Sequence, residues 1–175
     1  MKKFEFTGET KTLLDGTVLH RIKALVRIEF GYMAVEIGEL GGWIEKENNL
    51  SHGGIAWVFR NAEVYGNARV CGDARVYDDA RVCGNAEVFR MEHYLVMGPI
   101  GSRNAFTTFF RTKERNIKVV CGCFFGTIDE FLAKVKQTHG DSKHAKVYRA
   151  AVEVALAQLE DVKNEDIEEK ERDEI

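Results

Sequence analysis

"NAEVYGNARVCGDARVYDDARVCGNAEVF", residues 61–89, is one six-residue phrase repeated with small changes. Val58, Val64, Val70, Val76, Val82 and Val88 recur at a spacing of six, and an alanine stands two places before each, from Ala56 to Ala86. The residue before the later alanines is Asn or Asp: Asn61, Asn67, Asp73, Asp79, Asn85. Gly66, Gly72 and Gly84 stand two places after their valines, with Arg60, Asp78 and Arg90 at the equivalent positions elsewhere. A spacing of six matches no α-helix, whose apolar face recurs near 3.6 residues. It does match very short strands, because alanine and valine alternate with polar residues and so point to one side. Asn, Asp and Gly supply the bend, since they tolerate positive φ.

A hexapeptide period of this kind predicts a parallel β-helix with three hexads per coil. Residues 18 apart then stack about 4.8 Å from one another. At that offset Glu63 meets Arg81, Arg69 meets Glu87 and Arg60 meets Asp78, while Asn67 over Asn85 makes an amide ladder. Each opposite-charge pair contributes about 0.2–1 kcal/mol. An offset of 12 instead sets Arg69 against Arg81. Six hexads make two coils, and Ile44 and Leu50 fit an earlier phase that "HGG" at 52–54 shifts by two. The pattern resembles the left-handed β-helix of hexapeptide-repeat proteins. So short a stack has open ends and needs caps, partner subunits or both. Its outward aromatics and cysteines, Phe59, Tyr65, Cys71, Tyr77, Cys83 and Phe89, are too apolar for a solvated wall. Phe59, Tyr65, Tyr77 and Phe89 are therefore expected to line an interface with other copies, and the resemblance implies a homotrimer.

The flanking segments supply the caps. Residues 1–38 read as a β cap: "KKFEF" alternates, and Asp15-Gly16 sits between two apolar runs as in a two-residue hairpin. The β-helix then occupies 39–97. In 98–160, "AFTTFFRTKERNIKVVCGCFF" predicts a hairpin with strands near 104–112 and 117–125, and "HYLVMGPIGSRN" before it reads as the exit from the repeat. Thr127 and Glu130 form a capping box for a helix with Ile128, Phe131, Leu132 and Val135 on one face. Gly140 suits its C′ position. Asp141 or Ser142 caps a second helix over 143–160, with Val147, Ala151, Val152, Ala155, Leu156 and Leu159 on the apolar side. The fold expected is thus mostly β, a short left-handed β-helix with an N-terminal β cap and a C-terminal α+β (ββαα) module. Residues 161–175 hold eight acids and three bases, an acidic tail read as disordered.

Composition narrows the function classes. That tail carries −5 of a chain whose net charge is −3, which leaves the first 160 residues at +2 and argues against general nucleic-acid binding. No apolar run approaches the roughly 18 residues of a membrane span, and "MKKFEFTGETK" lacks the apolar stretch of a signal peptide. Four cysteines are too few for a disulfide framework. A cytoplasmic protein with reduced thiols is expected. Cys121 and Cys123, read on one strand face, suit buried free thiols better than a zinc knuckle, so no metal or cofactor is expected.

"LGGWIE", the "NAxVYG" hexads, "TTFFR", "VVCGCFFGTIDEF" and "THGDSKHA" together resemble a group of phage and prophage hexapeptide-repeat proteins. The resemblance spans roughly 39–150 and implies a viral accessory protein in the host cytoplasm. Three function classes follow. Many left-handed β-helix proteins are trimeric acyltransferases with a coil-borne histidine base; here His52 is the better candidate and His93 the other, and both lie at coil ends, where surface polar residues are also expected. A purely structural trimerisation module is a second class. The third, and the one favoured, is a non-catalytic counter-defence protein that binds a host defence protein or an anionic nucleotide-like signal. The expected ligand set is Arg103, Arg111 and Lys113 on the basic hairpin, with Thr138, His139, Lys143 and His144 around the turn that opens the second helix, whose free N–H groups suit an anion.

Overall fold

The computed structural model describes residues 1–159; the acidic tail expected over 161–175 lies outside the described residues. The described chain is mostly strand, with two helices at its C-terminal end. In order the strands are β1 (Phe4–Thr12), β2 (Val18–Ala24), β3 (Ile28–Phe30), β4 (Met33–Val35), β5 (Leu40–Ile44), β6 (Trp57–Val58), β7 (Glu63–Val64), β8 (Arg69–Val70), β9 (Arg75–Val76), β10 (Arg81–Val82), β11 (Glu87–Val88), β12 (Tyr94–Ile100), β13 (Ala105–Arg111), β14 (Ile117–Cys121) and β15 (Phe124–Thr127). The helices are α1 (Ile128–His139) and α2 (Lys143–Leu159).

The hexads form two-residue strands, one per repeat, and they pair in parallel at an offset of 18: Val58 with Val76, Val64 with Val82, Val70 with Val88. Every repeat alanine and valine is buried, and all belong to one core. Before the "HGG" segment the pairing persists with an offset of 20, Ile44 on Val64 and Leu50 on Val70, which is the expected shift of two. The bends use positive φ up to the last hexad, where Arg90 is extended at φ −133°. Gly66, Gly72 and Gly84 lie at 63–69°, and Arg60 and Asp78 adopt the same conformation at 49° and 56°. A left-handed non-glycine residue costs about 1–2 kcal/mol. Here the two strained residues stack on one another, and Arg60 Nη1 lies 3.6 Å from Asp78 Oδ1. Arg81 Nε likewise lies 3.5 Å from Glu63 Oε2, and Arg69 pairs in register with Glu87. The amide ladder does not form: Asn67 Oδ1 accepts from Lys46, and Asn85 Nδ2 donates to Glu114, because longer charged side chains reach each amide first.

The N-terminal segment extends one wall of this core. β1 and β2 form a hairpin, β2 pairs with β5, and β5 with β7, giving the sheet β1-β2-β5-β7-β10. The hairpin loop is wider than the Asp15-Gly16 pair suggests. It spans 13–17, closed by Leu13 N–H donating to the Thr17 carbonyl, while Asp15 Oδ1 accepts from Thr17 N–H. A second hairpin, β3–β4, covers another wall: Phe30 lies against Phe59, and the Arg75 guanidinium lies 5.3 Å from the Phe30 ring.

The C-terminal unit is a four-stranded meander, β12-β13-β14-β15, rather than a single hairpin. The segment read as an exit from the repeat is strand β12. The predicted second strand of 117–125 breaks at Gly122 (φ 61°) into β14 and β15, so Cys121 and Cys123 do not share a strand face. This sheet lies between two cores. Tyr94, Phe110 and Val120 face the hexad core, whereas Phe109 and Val119 face α1 and α2. The helices begin where expected. Thr127 and Glu130 cap α1 reciprocally, and Gly140 ends it with positive φ. Ser142 Oγ accepts from Ala145 N–H at the start of α2, while Asp141 turns to Arg149. The buried face of α2 is Ala145, Tyr148, Ala151, Val152, Ala155 and Leu159.

Candidate binding site

The expected ligand residues separate into two groups. Arg103 lies in the turn before β13 and Arg111 at its end, and the seven residues of the strand alone span roughly 20 Å. At the Arg111 end, Lys113 donates its backbone N–H to the Asn85 carbonyl and so closes the last hexad. At the other end lie Arg103, His139 and His144, gathered around Tyr148. The His139 ring is 5.9 Å from that of His144 and 5.8 Å from that of Tyr148. Tyr148 Oη reaches the turn at Gly101, two residues from Arg103, and a Cβ there would overlap it. Thr138 and Lys143 are exposed neighbours of the two histidines.

Beneath this cluster, Thr107 Oγ1 donates to Cys121 Sγ at 3.3 Å, and Cys121 Sγ lies 3.8 Å from Tyr148 Oη. Burial, with Cys121 beside it, pushes the Tyr148 phenol up to about 12, while the Arg103 charge acts the other way. Cys121 is half-buried among these groups and Cys123 is exposed. Among the described residues no group of His, Cys, Asp and Glu is arranged to hold a metal ion.

A groove of about 340 Å³ opens where the hexad wall meets the meander. Its wall side is two stacked repeats, Asn61 and Glu63 under Asp79 and Arg81; Phe106, Thr108, Val120 and Gly122 form the sheet side. Arg81 joins the two sides: its backbone N–H donates to Thr108 Oγ1, and Nη1 donates to the Gly122 carbonyl at 3.0 Å. Glu63 Oε1 is held by Lys11 at 2.9 Å. Glu63 Oε2 is buried and receives no hydrogen bond. Lys11 and Arg21 also flank the Trp43 ring, the register partner of Glu63. A second, more open groove lies between Tyr77, Asp78, Glu92, Tyr94 and Gln158.

His52 is half-buried and fully engaged. Its Nδ1 accepts from Lys3 N–H, its Nε2 lies 2.8 Å from Glu47 Oε1, and its ring stacks on Phe4. The Nδ1 contact assigns the proton to Nε2, which donates to Glu47. His93, expected as a surface residue, is buried, and its Nδ1 accepts from Phe89 N–H. The aromatics expected at an intersubunit face have partners within the chain. Phe59 stacks on Tyr77 at 4.4 Å, Phe89 packs edge-on to His93, and Tyr65 hydrogen-bonds Cys83.

Tyr148 and Thr107, and the groove residues Phe106 and Thr108, carry no sequence signal of a site; Cys121 is legible only as a thiol in an apolar strand and Asp79 only as a bend residue. Glu63 and Arg81 were legible as a stacked pair, but the meander strand that turns them into one wall of a groove was not. No family model and no curated protein matches the chain.

Proposed function

We propose that the chain is a non-catalytic binding protein built on a short left-handed parallel β-helix, and that it takes a small anionic, nucleotide-like molecule at the Arg103 end of its C-terminal sheet. On the resemblance to phage proteins, that molecule is a host defence signal, and the protein acts by sequestering it in the host cytoplasm. The parallel pairing at an offset of 18 supports the β-helix; its hand rests on the resemblance. The observation that carries the ligand reading is the grouping of three basic residues at one end of the sheet: the His139 ring lies against both His144 and Tyr148, and the Arg103 charge acts on the Tyr148 phenol. A guanidinium grips phosphate through its planar fork, and the histidines with Lys143 add donors around it. The engagement of both His52 ring nitrogens favours a binder over an acyltransferase, since a general base needs a free nitrogen within about 3 Å of its substrate. A homotrimer belongs to this proposal through the resemblance alone, because the aromatic walls have partners inside the chain. Light scattering near three times the 19.8 kDa chain mass is its check.

Calorimetry with a panel of nucleoside mono- and diphosphates, cyclic nucleotides and ADP-ribose-type molecules tests the ligand. Arg103→Glu is expected to abolish the heat, Arg111→Glu at the far end of β13 to preserve it, and denaturation to return the ligand unaltered. A chemically changed nucleotide would mean an enzyme. Silence across the panel, with a host protein captured instead, would replace this reading by the protein-directed one. Binding of coenzyme A that His52→Ala removes would favour the acyltransferase.

A further inference from the structure

We infer that the groove between the hexad wall and the meander is the nucleoside half of this site, holding a ribose and its base while Arg103 holds the phosphate. This rests on the anion-binding reading above and specifies its ligand. Gly122 joins the two halves: its backbone lines the groove, and Arg103 Nη1 comes to 3.8 Å from where its Cβ would be. Gly122 itself puts no side chain between the guanidinium and the groove, Arg81 Nη1 meets its carbonyl from the groove side, and φ of 61° keeps the position suited to glycine.

The groove chemistry matches a sugar carrying an apolar ring. At about 340 Å³ it falls at the small end of ligand pockets, which run from about 300 to 1,000 Å³. Its wall presents two carboxylates, Glu63 and Asp79, on hexads stacked at the offset of 18, and a carboxylate is the group that accepts from ribose hydroxyls in nucleotide sites. Lys11 holds Glu63 Oε1 in place, while Oε2 is buried with Arg81 Nε 3.5 Å away and no hydrogen bond of good geometry. The ion pair offsets the charge but leaves room on Oε2 for a hydroxyl to donate to it. Opposite the carboxylates, Phe106 is 36% exposed beside Ala105 and Val120 and offers a face for a base. A plain anion site would need neither acids nor an exposed aromatic.

The test compares inorganic pyrophosphate with ADP, GDP, CDP and UDP by calorimetry. At least one nucleoside diphosphate is expected to bind about tenfold or more tighter than pyrophosphate. Asp79→Asn and Phe106→Ala are each expected to remove most of that advantage and leave pyrophosphate binding unchanged, while Arg103→Glu removes both. Asp79 is exposed and outside the core, so its variant keeps the test open should Phe106→Ala misfold. Pyrophosphate bound as tightly as every nucleotide, or nucleotide affinity indifferent to Asp79→Asn, would overturn the groove assignment and spare the anion site. Failure of every anion to bind would overturn both.

Discussion

The two ends of the hexad core are closed by different chemistry. At the first end the unsatisfied backbone groups are carbonyls. One buried ammonium, Lys3 Nζ, reaches three of them: Ala56 at 2.7 Å, Gly53 at 3.3 Å and Gly54 at 3.5 Å. At the last end donors and acceptors are mixed, and neutral amphoteric groups do the work. Tyr94 Oη donates to the Arg75 carbonyl and accepts from Tyr77 N–H, Thr108 Oγ1 accepts from Arg81 N–H, and His93 Nδ1 accepts from Phe89 N–H. A repeat that cannot pair onward needs its last backbone groups satisfied, and the capping side chain is set by which group is left over. An ammonium with three donors fits a nest of carbonyls; a hydroxyl, which both gives and takes, fits a mixed edge.

Substitutions rank the two solutions. Lys3→Met keeps the side-chain length and strands the buried Ala56 carbonyl, leaving the exposed Gly53 and Gly54 carbonyls to water, so it is expected to cost about 3 kcal/mol, the upper end for one buried unsatisfied group. Urea unfolding is the measurement, and a midpoint equal to the parent protein's would mean that the ammonium does not close this end. Tyr94→Phe removes one hydroxyl with two partners and is expected to cost about 1–3 kcal/mol. Thr108→Val, isosteric and facing a single N–H, should cost about 1 kcal/mol. A larger loss from either than from Lys3→Met would reverse the ranking.

The pH response separates the ends more finely. Burial pushes the Lys3 ammonium down to about 8, with Cys71 acting the other way. The unfolded chain then holds more protons than the folded one between about pH 8 and 10.5, so this group makes stability rise with pH across that window, by on the order of 1–2 kcal/mol. Burial pushes the Cys83 thiol up to about 11, from an ordinary value of 9.0. Its contribution is present below pH 9 and is lost as pH rises toward 11. Burial raises the Tyr94 phenol to about 12, so the far end loses stability only above about pH 10. Unfolding titrations from pH 7 to 10 on the Cys83→Ala variant should therefore show a rise. The same series with Lys3→Met added should be flat or falling, and a persisting rise would remove Lys3 as its source.

The hexad core was legible because its signal is arithmetic. Valines at a spacing of six, charges paired at 18 and the shift of two after Leu50 all follow from one-dimensional periodicity, and the pairings obey them. β12 was not legible because both its faces are covered, Tyr94 and Val96 by the hexad core and Leu95 and Met97 by the helices, so it shows no alternation. Gly122 is one glycine inside an apolar run, and only the pairing of Cys121 with Phe124 reveals a turn there. The same limit divided the candidate site. Arg103 and Arg111 are near in sequence, but an extended strand carries them to opposite ends of a sheet. The apolar face of α2 was legible at Ala151, Val152, Ala155 and Leu159, but its first turn was assigned to Val147, about 100° around the helix from Tyr148, which packs instead.

Phe109 and Phe110 are consecutive, and they belong to different cores. One peptide unit is thus a party wall between the hexad stack and the helical layer. Neither compartment can be dismantled without stripping a side from the other, so the molecule is built to melt as a single cooperative unit despite its layered plan. The doubled letters of "TTFF" also give this strand a near-symmetry: Thr108 and Phe110 face one way, Thr107 and Phe109 the other. A slip of one residue would still offer a threonine and a phenylalanine to each side. Register here is therefore held by neighbours such as Thr108 on the Arg81 N–H rather than by hydrophobic patterning.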